Sequence, residues 1–117
     1  MHAEGVIMEE CKEIVARIGQ LSYLMSHFRG QIEDMVRALY GEPEATRRFG
    51  RTIQAWEALS AIERDLGSGR LQLKDLKICR EDRCIDAKKF LSLLDDYYEA
   101  FGAKQKMWRE LMRCLEI

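Results

Sequence analysis

Residues 7–40 read IMEECKEIVARIGQLSYLMSHFRGQIEDMVRALY, and their apolar spacing decides the fold. Ile7, Cys11, Ile14, Ile18, Leu21, Met25, Phe28, Ile32, Met35 and Leu39 alternate steps of four and three. That is the heptad rhythm of one helix face, held for more than four heptads. Val15 and Val36 widen the stripe on one side, Leu24 and Ala38 on the other. A face that broad predicts a helix over 6–40 that buries against two neighbours. At 1.5 Å per residue it is about 50 Å long.

Tyr40-Gly41-Glu42-Pro43 ends it. Gly suits the left-handed residue beyond a helix end, and Pro suits the first turn of the next helix. A second helix is expected over 43–66, antiparallel to the first, ending at Gly67. Phe49, Ile53 and Trp56 form one apolar stripe on it; Ala55, Leu59, Ile62 and Leu66 form another. Gly50 weakens its start by about 1 kcal/mol relative to Ala. Residues 67–85 form an insertion. Leu71 and Leu73 alternate with polar neighbours as in a short strand. Lys77 to Arg80 and Arg83 to Ile85, around Glu81-Asp82, fit a β-hairpin; a short helix over 71–79 is the competing reading. Asp86 caps a last helix over 86–116, with a stripe through Ala87, Phe90, Leu94, Tyr97, Phe101, Trp108, Leu111 and Leu115. Lys104 interrupts this stripe. The expectation is an all-α, elongated three-helix antiparallel bundle, one domain over 1–117.

The chain has 117 residues, 19 basic against 20 acidic, and a net charge of −1. This near balance gives no global pull toward nucleic acid or membrane, and no apolar run reaches the roughly 18 residues of a membrane span. Residues 1–5 read as a frayed tail without the order of a signal peptide, and Met8 is an alternative start. A cytoplasmic protein with reduced thiols at Cys11, Cys79, Cys84 and Cys114 is therefore expected. In an up-down-up bundle Cys11 and Cys114 stand about 40 Å apart, which argues against a four-cysteine metal site. Cys79 and Cys84, four residues between them, remain candidates for a zinc pair or a reversible disulfide.

Catalytic constellations are hard to assemble. His2 lies in the tail and His27 at a solvent-facing heptad position. Glu9-Glu10, Glu33-Asp34 and Asp95-Asp96 flank apolar stripes as solvated helix faces do. Gly67-Ser68-Gly69 lacks the Gly and Lys of a phosphate loop. No enzyme activity and no cofactor are expected.

Basic residues do cluster. Arg47, Arg48 and Arg51 form one group. Lys77, Arg80, Arg83, Lys88 and Lys89 belong to a second, over 70–89, with seven basic and four acidic residues. The two groups are expected at opposite ends of the second helix. The leading reading is a non-enzymatic interaction or assembly protein (adaptor, chaperone-like subunit or scaffold), with a homodimer ahead of a dedicated protein partner. Its candidate interface comprises Val15, Leu24, Val36, Leu91, Tyr98 and Met112. A nucleic-acid-binding accessory subunit using the basic groups is the alternative, and a thiol or metal sensor at Cys79 and Cys84 the second alternative.

Overall fold

The structure, a computed structural model, describes residues 2–116, and the side chains of residues 9–116. The place of Ile7 on the stripe, and the reading of Met1 and Met8, lie outside these. The described chain is mostly helical. α1 spans His2–Tyr40, α2 Glu42–Phe49, α3 Ala55–Ser68 and α4 Ala87–Glu116. Between α3 and α4 lie β1 (Gln72–Lys74), β2 (Lys77–Arg80) and β3 (Arg83–Asp86). The chain divides into two compact units, one of Met1–Ser26 with Tyr97–Ile117, the other of His27–Asp96.

In the unit formed by His27–Asp96, the expected second helix is two helices. Gly50 closes α2 with φ 83°, a backbone that ends a helix and that L side chains rarely adopt. The chain then bends at Arg51 and Thr52, passes through Ile53, which is fully buried, and restarts at α3. Glu57 accepts the Gln54 N–H at 3.2 Å to start it, and Gly69 ends it at φ 84°, two residues later than expected. Of the two expected stripes, Ile53, Ala55 and Ile62 are buried, while Leu59 is exposed. Ala55, Ala58, Ala61 and Ile62 are buried, whereas Trp56 is exposed.

The insertion is a sheet, which decides between hairpin and helix. β1, β2 and β3 are antiparallel in sequence order. Ile78 pairs with Ile85 on the buried face, and Cys79 with Cys84. The β1–β2 turn is Asp75-Leu76, both at positive φ. This is the backbone of a type I′ hairpin turn, made here without glycine. Asp86 Oδ1 accepts the Lys89 N–H at 3.1 Å, so the expected cap of α4 is present.

The buried side chains Ile32, Val36 and Leu39 of α1 share this unit with Ile53, Leu71, Ile78, Ile85 and Phe90. From Cys11 to Leu39 every position of the heptad stripe is buried or half-buried. Val36, expected at the candidate interface, is completely buried. A broken second helix plus a sheet covers more of α1 than one straight helix would.

In the unit formed by the chain's two ends, rising numbers on α1 meet falling numbers on α4. Cys11 and Cys114 are joined by a disulfide with Cα atoms 5.9 Å apart, and Ile14 and Ile18 share an apolar cluster with Met107 and Leu111. The segments are therefore antiparallel, so the separation of Cys11 and Cys114 expected for parallel first and last helices does not hold. The second disulfide joins Cys79 to Cys84 across β2 and β3. All four thiols are paired, not reduced.

The Cys11–Cys114 disulfide sets the rotation of α4. Past Tyr97 its buried face passes through Ala100, Leu111 and Cys114, with Met107 half-buried. Phe101, Trp108 and Leu115 were expected in this core. They lie one residue on, about 100° round the helix, and are exposed.

Candidate functional site

Two features of the surface carry chemistry. The first is a charged cleft of about 360 Å³ in the unit formed by His27–Asp96. It forms where α1 ends. Gly41 turns the chain at φ 85°, and a Cβ there would come within 3.1 Å of the Arg83 guanidinium. Arg80 Nη1 donates to the Tyr40 carbonyl at 3.0 Å, satisfying an orphan acceptor at the helix terminus. Cations are favoured there by the helix dipole.

Behind Arg80 lies Asp65, the buried charged residue of the core. Arg48 grips it through both guanidinium nitrogens, at 2.7 and 3.2 Å, and the Tyr40 hydroxyl donates to Oδ2 at 2.6 Å. Arg48 and Arg80 both lie over the Tyr40 ring, 5.2 and 5.9 Å from its centroid. Glu44 completes the set as an ion pair with Arg80, at an angle too oblique for a hydrogen bond. Burial opposes ionisation of Asp65, but the hydrogen bonds from Arg48 and Tyr40 outweigh it and hold its carboxyl below the usual range. Burial, with the Asp65 carboxylate beside it, pushes the Tyr40 phenol well up. With Arg70 and Glu81 at the rim, three arginines meet three carboxylates. The cleft is a neutral clamp joining α1, α2, α3 and β2.

A related cluster secures the break after α2. Glu33 accepts from Arg29, Arg37 and the Ile53 N–H, while Arg37 also donates to the Gly50 and Arg51 carbonyls. Burial raises the Glu33 pKa, but these hydrogen bonds together bring it below its ordinary value. Glu33 is thus part of the packing, not of a solvated face. Arg29, Glu33 and Arg37 stand four apart beside the heptad stripe, a spacing that the sequence displays.

The two basic groups meet, contrary to expectation. Arg48 and Arg80 line the same cleft, because the break at Gly50 turns α2 out of line with α3. Both spend donors on protein acceptors. Arg47, Arg51, Lys77, Arg83, Lys88 and Lys89 are exposed. His27 is exposed and bonds Gln31 at 2.7 Å. Cys79 and Cys84, the candidate zinc pair, are bonded to each other. Among the described residues no cluster of three His, Cys, Asp or Glu side chains is placed to hold a metal ion. Among them, too, no helix is long and apolar enough to cross a membrane.

The second feature is apolar and lies in the unit formed by the two chain ends. On α4, Phe101, Trp108, Met112 and Leu115 are 40, 49, 60 and 65% exposed. Val15 on α1 is also exposed. Of the candidate interface residues, Val15, Leu24, Tyr98 and Met112 fall in this unit and are exposed; Leu91 is exposed in the other unit. Phe101, Trp108 and Leu115 escaped the sequence-based choice because their heptad spacing marks core, and only the rotation of α4 frees them.

No protein-family model matches the chain, and neither a curated protein nor a solved structure is significantly similar to it.

Proposed function

We propose that the protein is a non-enzymatic assembly protein that works by docking an apolar helix face onto protein. The observation that carries this reading is the row Phe101, Trp108 and Leu115, with Met112 beside it, exposed on a unit that has only two helices to bury its apolar side chains. A heptad row of large side chains left open to water is costly, and contiguous patches of this kind mark association surfaces. The charged cleft supports the same reading from the other side. Tyr40, Glu44, Arg48, Asp65 and Arg80 are committed to one another as a structural clamp, and the charges of the cleft balance. Two disulfides further support folding where thiols are oxidised, rather than in a reducing cytoplasm.

The test uses the chain in its native source. Wild type should elute in an assembly larger than its own 13.7 kDa, and Trp108→Glu should release it. A Trp108→Glu chain that stays in the same assembly refutes the reading. Nucleic-acid binding is the competing reading, carried by the exposed Arg47, Arg51, Lys77, Arg83, Lys88 and Lys89. It requires a salt-dependent anisotropy change with generic RNA or DNA at about 50 mM salt.

A further inference from the structure

We infer that the occupant of the apolar face is a second copy of this chain, packed about a two-fold axis so that two helix pairs make a four-helix bundle. This rests on the assembly reading above and names its partner.

The argument starts from helix geometry. In an antiparallel pair, the residues that follow each buried position lie on the same side of both helices. On α4 the buried face passes through Ala100, Met107, Leu111 and Cys114, and the residues that follow are Phe101, Trp108, Met112 and Leu115. On α1 it passes through Cys11, Ile14, Ile18 and Leu21, and the residues that follow are Lys12, Val15, Gly19 and Ser22. One side of the pair thus carries a ridge of large side chains on α4 beside a trough at Gly19 and Ser22 on α1, with Val15 and Lys12 at one end of it. Ridge and trough occur on the same molecule, in lanes that run in opposite directions. A two-fold rotation lays the ridge of each copy into the trough of the other, which is the self-matching surface that an isologous dimer needs.

Size agrees with shape. Val15, Phe101, Trp108, Met112 and Leu115 expose roughly 100 Å² each, so two copies bury on the order of 1,000 Å², the threshold for a specific interface. The product is also the smallest closed architecture available to paired helices, with their stripes turned inward. An unrelated partner would need the ridge alone. The trough beside it gives the ridge of a second copy a seat, and the same sequence supplies both.

Gly19 supplies the discriminating variant. A Cβ at Gly19 meets nothing within 4 Å, and its backbone is helical. Gly19→Leu therefore leaves the single chain intact and raises its helix propensity. It fills the trough that a second copy would enter. The experiment is light scattering coupled to gel filtration on the oxidised full chain, from 1 to about 100 µM, with helicity read by circular dichroism. Wild type should show twice 13.7 kDa. Gly19→Leu and Trp108→Glu should each weaken the dimer at least tenfold, and Gly19→Leu should keep wild-type helicity. A wild-type mass of 13.7 kDa across this range overturns the second copy as occupant. So does a dimer that both variants leave unchanged. If the pure chain is monomeric while Trp108→Glu still releases it from its native assembly, the homodimer fails and the assembly reading stands. If the native assembly is unaffected as well, both fail.

Discussion

Replacing Arg48 by Met should be the most damaging single change in the charged cleft, and its cost can be worked from the geometry. Asp65 is 2% exposed and takes two of its hydrogen bonds from Arg48. Removing one member of such a pair strands a buried charge, at about 3–5 kcal/mol. The bond from Tyr40 remains and moves the value toward the lower end. Loss of the guanidinium from the Tyr40 and Phe49 rings adds back about 0.5–1 kcal/mol. The sum is about 4 kcal/mol, against the 5–15 kcal/mol that holds an ordinary domain together. In a chain of this size that lowers the melting temperature by about 15 °C. Scanning calorimetry of the oxidised protein at pH 7 measures it directly. The pH dependence gives a second, independent reading. In wild type the carboxyl of Asp65 is held below its ordinary value, so its contribution is present above pH 4 and lost as the pH falls through the lowered value. In Arg48→Met the Tyr40 bond and the Arg70 charge are left to oppose burial, so the carboxyl ionises less readily than in wild type and the variant loses less as the pH falls. The gap between the two proteins should be widest near neutrality and narrow below pH 4. A shift under 4 °C at pH 7, or a gap that does not narrow in acid, would refute the clamp.

Three further outcomes follow from the same structure. Glu33, like Asp65, has a lowered pKa, so wild-type stability should fall as the pH drops below 4, and Glu33→Gln should flatten that fall in urea titrations taken from pH 7 to pH 3. Leu76 is exposed at φ 65°, where a side chain costs about 1 kcal/mol; Leu76→Gly should raise the melting temperature by a few degrees, and a decrease would show that the leucine earns its place by packing. Replacing Cys11 and Cys114 by Ser, which opens a loop 103 residues long, should cost about 4–5 kcal/mol by urea unfolding, and the same change at Cys79 and Cys84, five apart, about 2 kcal/mol; equal costs would count against a loop-entropy origin.

How far the sequence was legible depends on which force decided each element. α1 was readable because burial alone decides it, and burial leaves a periodic trace from Cys11 to Leu39. The hairpin of β2 and β3 was readable from alternation, although its neighbour turn hides the usual Asn-Gly signal behind Asp75-Leu76. The second helix was misjudged at Gly50. A lone glycine inside an apolar period is ambiguous, and what breaks the helix is tertiary: Arg37 and Glu33 hold the backbone of residues 50–53 from across the unit. The cleft was half legible. Arg48 and Arg80 stood out as basic residues, but Asp65, their centre, looked like any charge on a helix. Nothing local marks a carboxylate that burial and a distant arginine will claim. On α4, period alone could not choose between two rows one residue apart. A covalent link to α1 made that choice, and it lies 103 residues away in sequence.

That link sits around the other one like an outer pair of brackets. In order of synthesis the cysteines appear as Cys11, Cys79, Cys84 and Cys114, and pairing each newcomer with the first free thiol would join Cys11 to Cys79. At 5–20 residues per second, Cys11 waits roughly 5–20 s on the ribosome's far side before Cys114 is made. If β2 and β3 close first, Cys79 and Cys84 are out of circulation as partners for the waiting thiol, which is the route to the nested pairing that needs no reshuffling. On that route the six-residue hairpin from Cys79 to Cys84 edits the chain's own chemistry. A variant slow to form it would be recovered with Cys11 joined to the wrong sulfur.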